Sequence, residues 1–256
     1  MEHMEHVANS PVSVFVLSLV ILWLSTNVGA FLRTRSRPLG EDERKDFDVV
    51  LAATLTLLGL IIGFSFSMVI ERYDQRKNFE EDEANAIGTE FVRAELLSSS
   101  DAAEVKDLLK KYLDQRLLFY TTTDALRLKS INAQTTQLQG ALWSATRKAV
   151  TNQPTATATL ALSGMNDVLN SQGYTQAAWS NRLPIAAWGL LVTIGVLCNV
   201  LIGYCSHRNS LALMLILPLA VSVSFFLIAD IDSPRHGLIR VNPQNLVNLA
   251  QTLPAQ

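Results

Sequence analysis

Four long apolar stretches alternate with polar segments along the chain, and each is long enough to cross a lipid bilayer as a helix. An α-helix rises 1.5 Å per residue, so about 20 apolar residues cover the ~30 Å of hydrocarbon in a membrane. A charge near the centre of such a helix costs roughly 2.5–3.5 kcal/mol on insertion scales, and none of the four stretches contains one. The pattern predicts membrane spans over 12–32, 49–70, 185–204 and 211–229.

The segment between the second and third spans is polar and shows helical periodicity. Ile87, Phe91 and Ala94 recur at i, i+4 and i+7, the spacing of one helix face. No Pro and no Gly before Gly88 interrupts the chain after the second span, so the second helix is predicted to continue out of the membrane. No stretch here alternates as a strand does, which favours an all-helical domain.

The predicted fold class is an all-α integral membrane protein with four transmembrane helices and a helical extramembrane domain between the second and third. An N-terminal tail precedes the first span, a basic connector over 33–48 joins the first two, and a C-terminal tail follows the fourth. The predicted parts are 1–11, 12–70, 71–183, 184–229 and 230–256.

Polar clusters in the middle domain mark helix boundaries. Ser, Thr and Asp favour the N-cap position, so 98–101 and 121–124 are predicted helix starts. The stretch 151–159, with a proline and alternating Thr and Ala, is predicted to be a loop. Separate helices are then expected over 161–169 and 176–182.

Positive charge does not decide which side of the membrane holds the middle domain. Six Lys or Arg residues lie in the connector and the turn between the third and fourth spans, and six flank the spans on the other side. The first helix alone favours an outside N-terminus, because no Lys or Arg precedes it. A signal peptide needs a positive start, so the first span is predicted to be retained.

Composition and charge exclude several classes of protein. Hydrophobic residues make up 49% of the 256 positions and charged residues 17%, against about 25% charged in soluble domains. A net charge of −2 gives no basic surface for nucleic acid. Cys198 and Cys205 lie too far apart on one apolar run for a disulfide, and we interpret both as apolar packing residues.

Motifs for catalysis and cofactor binding are missing from the sequence. It contains no phosphate loop, dinucleotide fingerprint, GxSxG or HExxH. The histidines do not have the spacing of a zinc site, and they are His3, His6, His207 and His236. We therefore predict no enzyme activity, no cofactor and no bound metal.

Two groups of acidic residues remain as candidates for chemistry. Asp230 and Asp232 follow the fourth span and are a candidate ion site, since paired carboxylates can ligate a cation. The alternative is pairing with Arg235 or Arg240. The acidic run 80–83 is interpreted as a solvated helix face. A membrane enzyme would need clustered acid, base or metal ligands, and only Asp230, Asp232 and His236 approach that.

Small residues at helical spacing predict close packing between spans. Gly59 and Gly63 form a GxxxG pair in the second span, and Ser67 continues it one turn later. Such a face lets another backbone approach closely in lipid. The spacing by itself indicates a packed bundle without a pore. The third span repeats a small–polar–small pattern at Gly195, Asn199 and Gly203.

Several segments of the sequence resemble the bacterial bestrophin-like domain family, long described only as a domain of unknown function. They are 57–68 (LLGLIIGFSFSM), 71–76 (ERYDQR), 83–89 (EANAIGT), 93–97 (RAELL) and 230–241 (DIDSPRHGLIRV). The family is distantly similar to bestrophins, which are pentameric anion channels with four spans per subunit and cytosolic termini.

The resemblance implies a homo-oligomeric, multi-pass channel of the bacterial inner membrane, with the lipid bilayer, further copies of the chain and chloride or other anions as partners. In bestrophins the second span lines the pore and narrows it with apolar side chains one turn apart. Ile62, Phe66 and Ile70 match that spacing here. Asp230 and Asp232 occupy the place of the bestrophin calcium cluster but lack its longer acidic run. The rival hypothesis is a non-conducting scaffold or sensor whose helical domain binds a partner protein.

Overall fold

A computed structural model describes residues 10–37, 40–205 and 211–254, and this part of the chain is helical with no strand. Its helices are α1 (Pro11–Arg35), α2 (Glu41–Arg93), α3 (Ser99–Thr121), α4 (Ala125–Asn152), α5 (Ala156–Ser180), α6 (Ile185–Cys205), α7 (Leu211–Asp232) and α8 (Gln244–Thr252), with a 3₁₀ turn at Ala94–Leu96. The N-terminal tail up to residue 9 and the turn over 206–210 lie outside the described residues, and so do His3, His6 and His207.

The predicted fold class is confirmed. Four helices, α1, α2, α6 and α7, are long and apolar enough to cross a membrane. The prediction that the second span continues beyond the bilayer is also confirmed, because α2 is one helix of 53 residues. At 1.5 Å per residue this helix is about 80 Å long.

The chain forms two compact units. The membrane unit comprises Met1–Arg72 and Arg182–Arg240, and the helical domain comprises Tyr73–Asn181 and Val241–Gln256. Positions 241–254, predicted to be part of a tail, therefore belong to the helical domain. Helix α8 explains the difference, because it buries Leu246 completely in the hydrophobic core of that domain.

The N-cap residues explain which of the predicted helix boundaries in the middle domain are correct and which are wrong. The Ser98 hydroxyl accepts a hydrogen bond from the Asp101 N–H, and the Asp124 carboxylate accepts one from the Arg127 N–H, as predicted. The long loop over 151–159 was a wrong prediction. The Thr155 hydroxyl accepts from the Ala158 N–H at 3.0 Å and starts α5 there. A single helix then replaces the two predicted helices.

Helices α1 and α6 pack with their backbones in contact. A Cβ added at Gly203 would overlap the carbonyl oxygen of Thr26, and one added at Gly29 would overlap that of Val200. Between these points the Asn199 amide donates to the Gly195 carbonyl at 2.7 Å and accepts from the Thr26 hydroxyl at 3.2 Å. The polar side chain is thus satisfied inside the bundle, as lipid requires.

Glu90 is a fully buried acid in the helical domain, and neither of its carboxyl oxygens has a hydrogen-bond partner in the described part of the chain. Gly164 of α5 makes room for it, because a Cβ there would overlap the carboxyl group. Burial raises the pKa of Glu90 to about 8, Arg93 opposes this shift, and Asp167 adds to it. Glu90 therefore keeps its proton at neutral pH.

Replacing Gly203 with alanine should destabilise the membrane unit, because the new methyl group would force α1 and α6 apart. Overpacking of this kind costs about 1–3 kcal/mol. Thermal unfolding in detergent should show a lower midpoint for Gly203→Ala than for wild type. Gly189→Ala is the matched control, since the Cβ position at Gly189 on the same helix is open. Equal midpoints for the two variants would disprove the backbone contact.

Glu90 should make the helical domain less stable as pH rises. The folded state holds a proton that the unfolded chain releases near 4.5, so stability falls between about 4.5 and about 8, by up to about 1.4 kcal/mol per pH unit. Glu90→Gln should remove this dependence in unfolding measurements at pH 5 to 9. The exposed Glu81→Gln control should retain it. A wild-type profile as flat as that of Glu90→Gln contradicts the assignment.

Candidate functional site

The membrane-spanning part of α2 is the span least covered by the rest of the chain. In its most apolar stretch of 18 residues 11% of positions are buried, against 28 to 44% in the other three spans. A Cβ added at Gly59 or Gly63 would meet nothing within 4 Å outside its own helix, and Ser67 is exposed. This small-residue face of α2 is therefore open in the single chain, whereas Gly195 and Gly203 of α6 already contact α1.

The apolar row on α2 lies at the edge of its covered side. Ile62 and Phe66 are half-buried, and Ile70 is 38% exposed. Leu58 and Val69 of the same helix are buried. The open side thus carries the small residues and the end of the apolar row, and the role of that row as a constriction stays a prediction.

Asp230 and Asp232 anchor the chain where α7 ends. The Asp230 carboxylate accepts hydrogen bonds from the backbone N–H groups of Leu238 at 2.6 Å and Ile239 at 2.8 Å. The Asp232 carboxylate accepts from the Leu183 N–H, and Arg72 lies 3.7 Å from it. Both acids are buried. Each carboxylate oxygen therefore has a backbone donor: Asp230 closes the turn after α7, and Asp232 joins the end of α7 to the segment before α6.

The surroundings of these aspartates do not add further metal ligands. In the parts of the chain that the structure describes, no three His, Cys, Asp or Glu side chains are grouped so as to hold an ion. Gly237 is needed in the same turn, because a Cβ there would overlap the Asp230 carbonyl oxygen. The cation-site hypothesis for Asp230 and Asp232 stays a prediction.

The extramembrane part of α2 buries three charged side chains on one face. Arg76, Glu80 and Glu83 are spaced i, i+4 and i+7, and each is at most 1% exposed. The Arg76 guanidinium donates to the carbonyls of Ala178 at 3.2 Å and Asn181 at 3.0 Å. These carbonyls lie at the end of α5, where they have no partner within the helix, so Arg76 caps α5.

Glu80 caps the opposite kind of helix end, the N-terminus of α8. Its carboxylate accepts from the Leu246 N–H at 2.9 Å and from the Asn245 amide at 2.7 Å. A carboxylate is favourable at a helix N-terminus because it satisfies free N–H groups and complements the helix dipole. Glu80 thereby holds the C-terminal helix to the domain.

Glu83 lies at the centre of a buried polar network. Its carboxylate pairs with the Arg116 guanidinium of α3 and accepts from the Tyr120 hydroxyl and the Thr175 hydroxyl, each at 3.2 Å. Burial works against the charged form of Arg116, but the charge and hydrogen bond of Glu83 together with Tyr112 and Tyr120 outweigh it and raise the pKa of Arg116. Burial and the same carboxylate raise the pKa of Tyr120.

The interpretation of 80–83 as a solvated face is therefore wrong for Glu80 and Glu83, although Glu81 and Asp82 are exposed. The sequence feature that could have predicted their burial is the i, i+3, i+7 spacing of Glu80, Glu83 and Ile87. This spacing places both acids on the apolar face of the helix.

Comparisons with known proteins agree on the family. A sequence model of the Bestrophin-like domain matches residues 13–246. The crystal structure of a bacterial bestrophin homolog from Klebsiella pneumoniae is similar to this chain with a TM-score of 0.61 at 12% identity, covering 95% of this chain and 99% of that one. A tryptophan-to-alanine variant of that homolog gives a TM-score of 0.64 at 12% identity, with the same coverage. No curated protein sequence matches significantly. The chain belongs to the bestrophin-like family.

Proposed function

We propose that the protein is an ion channel of the bacterial inner membrane, assembled from several copies of the chain and conducting anions such as chloride. The observation that carries the proposal is the face of α2 formed by Gly59, Gly63 and Ser67, which the chain's own helices leave open. Membership of the bestrophin-like family supports it, and analogy with bestrophins suggests a pentamer.

In this proposal a ring of α2 helices surrounds the pore. Small residues on one helix admit the backbone of the next, because association in lipid depends on close packing. Ile62, Phe66 and Ile70 then form apolar rings one helical turn apart. A narrow apolar ring expels water, so it closes the path without a physical plug and opens when it widens.

The buried charges of the helical domain fix the position of the helix that would line the pore. Arg76, Glu80 and Glu83 fix α2 to α5, α8 and α3 respectively. The helix that lines the proposed pore is thus held firmly outside the membrane by groups that cannot leave their partners without a large cost. This supports α2 as a stiff pore wall.

A non-conducting scaffold or sensor is the second candidate. It is favoured by the absence of ionisable side chains from 49–70, since ion pathways commonly carry them. An image of the purified assembly separates the two: a symmetric ring with an axial path supports the channel, and a monomer or sealed dimer supports the scaffold.

Purified protein should conduct halide ions across liposome membranes. Vesicles containing the protein should release chloride down its gradient faster than empty vesicles, as followed with a halide-sensitive dye. The folded state of the protein is checked by size-exclusion chromatography after extraction. Well-folded protein with no flux above empty vesicles ends the channel proposal.

Phe66→Ala should raise the halide flux, because removing an apolar ring widens the constriction and lowers the cost of wetting it. The same flux assay or single-channel recording measures the change. Phe64→Ala is the control, since Phe64 is 63% exposed and lies outside the Ile62, Phe66 and Ile70 row. If both variants behave as wild type, Phe66 is not part of the constriction.

A further inference from the structure

The membrane unit contains a small cavity where three of its spans end. Its volume is about 140 Å³. Val14 is in the first turn of α1, Trp188 in the first turn of α6, and Ala229 in the last turn of α7. The lining residues are Val14, Arg182, Trp188, Ala229, Asp232 and Ser233.

Arg182 lies near the Asp232 carboxylate, whose charge favours the guanidinium, but it makes no ion pair with it. Its guanidinium donates to the backbone oxygen of Asp232 at 2.6 Å and to the Ser233 hydroxyl at 3.3 Å, and both acceptors are neutral. The Asp232 carboxylate accepts a hydrogen bond from the Leu183 N–H and pairs with Arg72. Two arginines therefore lie near one carboxylate, and burial lowers the pKa of Arg182 although the Asp232 charge opposes this shift.

Further donors lie in this cavity and beside it. One nitrogen of Arg72, 3.7 Å from the Asp232 carboxylate, is buried and makes no hydrogen bond to any described residue. Neither the Trp188 indole N–H nor the remaining guanidinium donors of Arg182 bond to the described chain. A ligand that fits here must accept hydrogen bonds and carry negative charge. A phosphate group has both properties and suits arginine in particular.

The walls suit a ligand that is apolar on one side. Val14, Ala229 and the Trp188 ring are apolar, and Trp188 is held edge-on against Phe225 at 6.1 Å. Tryptophan is enriched at the level of lipid headgroups, and basic pockets between spans at that level bind headgroup phosphates.

We propose that this cavity binds a phosphate group, supplied by the headgroup of an anionic phospholipid or by free phosphate. Arg182 would hold the phosphate oxygens, Trp188 would donate one further hydrogen bond, and Val14 and Ala229 would face the apolar part of a lipid. The volume admits one phosphate and is too small for a nucleotide. The proposal does not rest on the chain conducting ions.

Native mass spectrometry of the full-length protein in detergent, titrated with phosphatidylglycerol, tests the site. We expect binding of the lipid to be weakened at least about tenfold in Arg182→Gln, because hydrogen bonds between charged groups are stronger than those between neutral groups. Trp188→Phe retains the ring but not the donor, and should weaken binding by about threefold, the effect of a neutral hydrogen bond.

A cavity-filling variant keeps the test decisive if Arg182→Gln does not fold. Val14→Phe fills the space and leaves every polar group in place, so it should also weaken binding about tenfold. Val12→Phe is its control, because Val12 is 62% exposed on the same helix and should bind as wild type.

Competition with sodium phosphate identifies the source of the group. Displacement of the lipid at millimolar phosphate supports a site for free phosphate, and the absence of displacement together with lipid binding supports the headgroup. Lipid binding that is the same in wild type, Arg182→Gln and Val14→Phe overturns the proposal, and so does the absence of both ligands from the wild-type protein.

Discussion

A charged side chain can be buried only where partners replace the water it loses, and α2 meets this condition three times on one face. Arg76 caps the end of one helix, Glu80 the start of another, and Glu83 pairs with Arg116. Removing one partner of a buried pair costs about 3–5 kcal/mol, because the other charge is left buried without a partner. The arrangement of α3, α5 and α8 around α2 follows from this requirement.

Glycine serves two different purposes in the membrane unit. Gly29 and Gly203 lie where two backbones of the same chain touch, and neither position has space for a methyl group. Gly59 and Gly63 have the same helical spacing as a packing motif, but no neighbour occupies the space beside them. In lipid, a small-residue face that no helix covers contributes little packing energy. It becomes stabilising when another helix packs closely against it. This contrast is what the channel proposal builds on.

Much of the fold was predictable because its signals are local or depend on length alone. The membrane spans follow from runs of apolar residues, and the caps at Ser98 and Asp124 follow from residue type. The burial of Glu80 and Glu83 was missed, since their neighbours Glu81 and Asp82 have the same chemistry and are exposed. Only the positions of α3, α5 and α8 decide which acids are enclosed, and these contacts are distant in sequence.

The candidate site was predictable to a lesser degree. Spacing identified Asn199 and Gly203 as residues for helix contact, but the sequence could not show that α1 supplies their partner through Thr26. It also could not show that Asp232 receives the Leu183 N–H from a segment 49 residues earlier in the chain. Contacts of this kind depend on where the spans pack, which hydropathy does not encode.

The protonated state of Glu90 changes the electrical character of the folded molecule. The formal net charge of −2 counts every carboxyl group as ionised, and one neutral acid makes the value −1. The sequence gives an isoelectric point of about 6.1, a pH at which Glu90 in the folded chain still holds its proton. The native protein should therefore focus at a higher pH than the same polypeptide in urea.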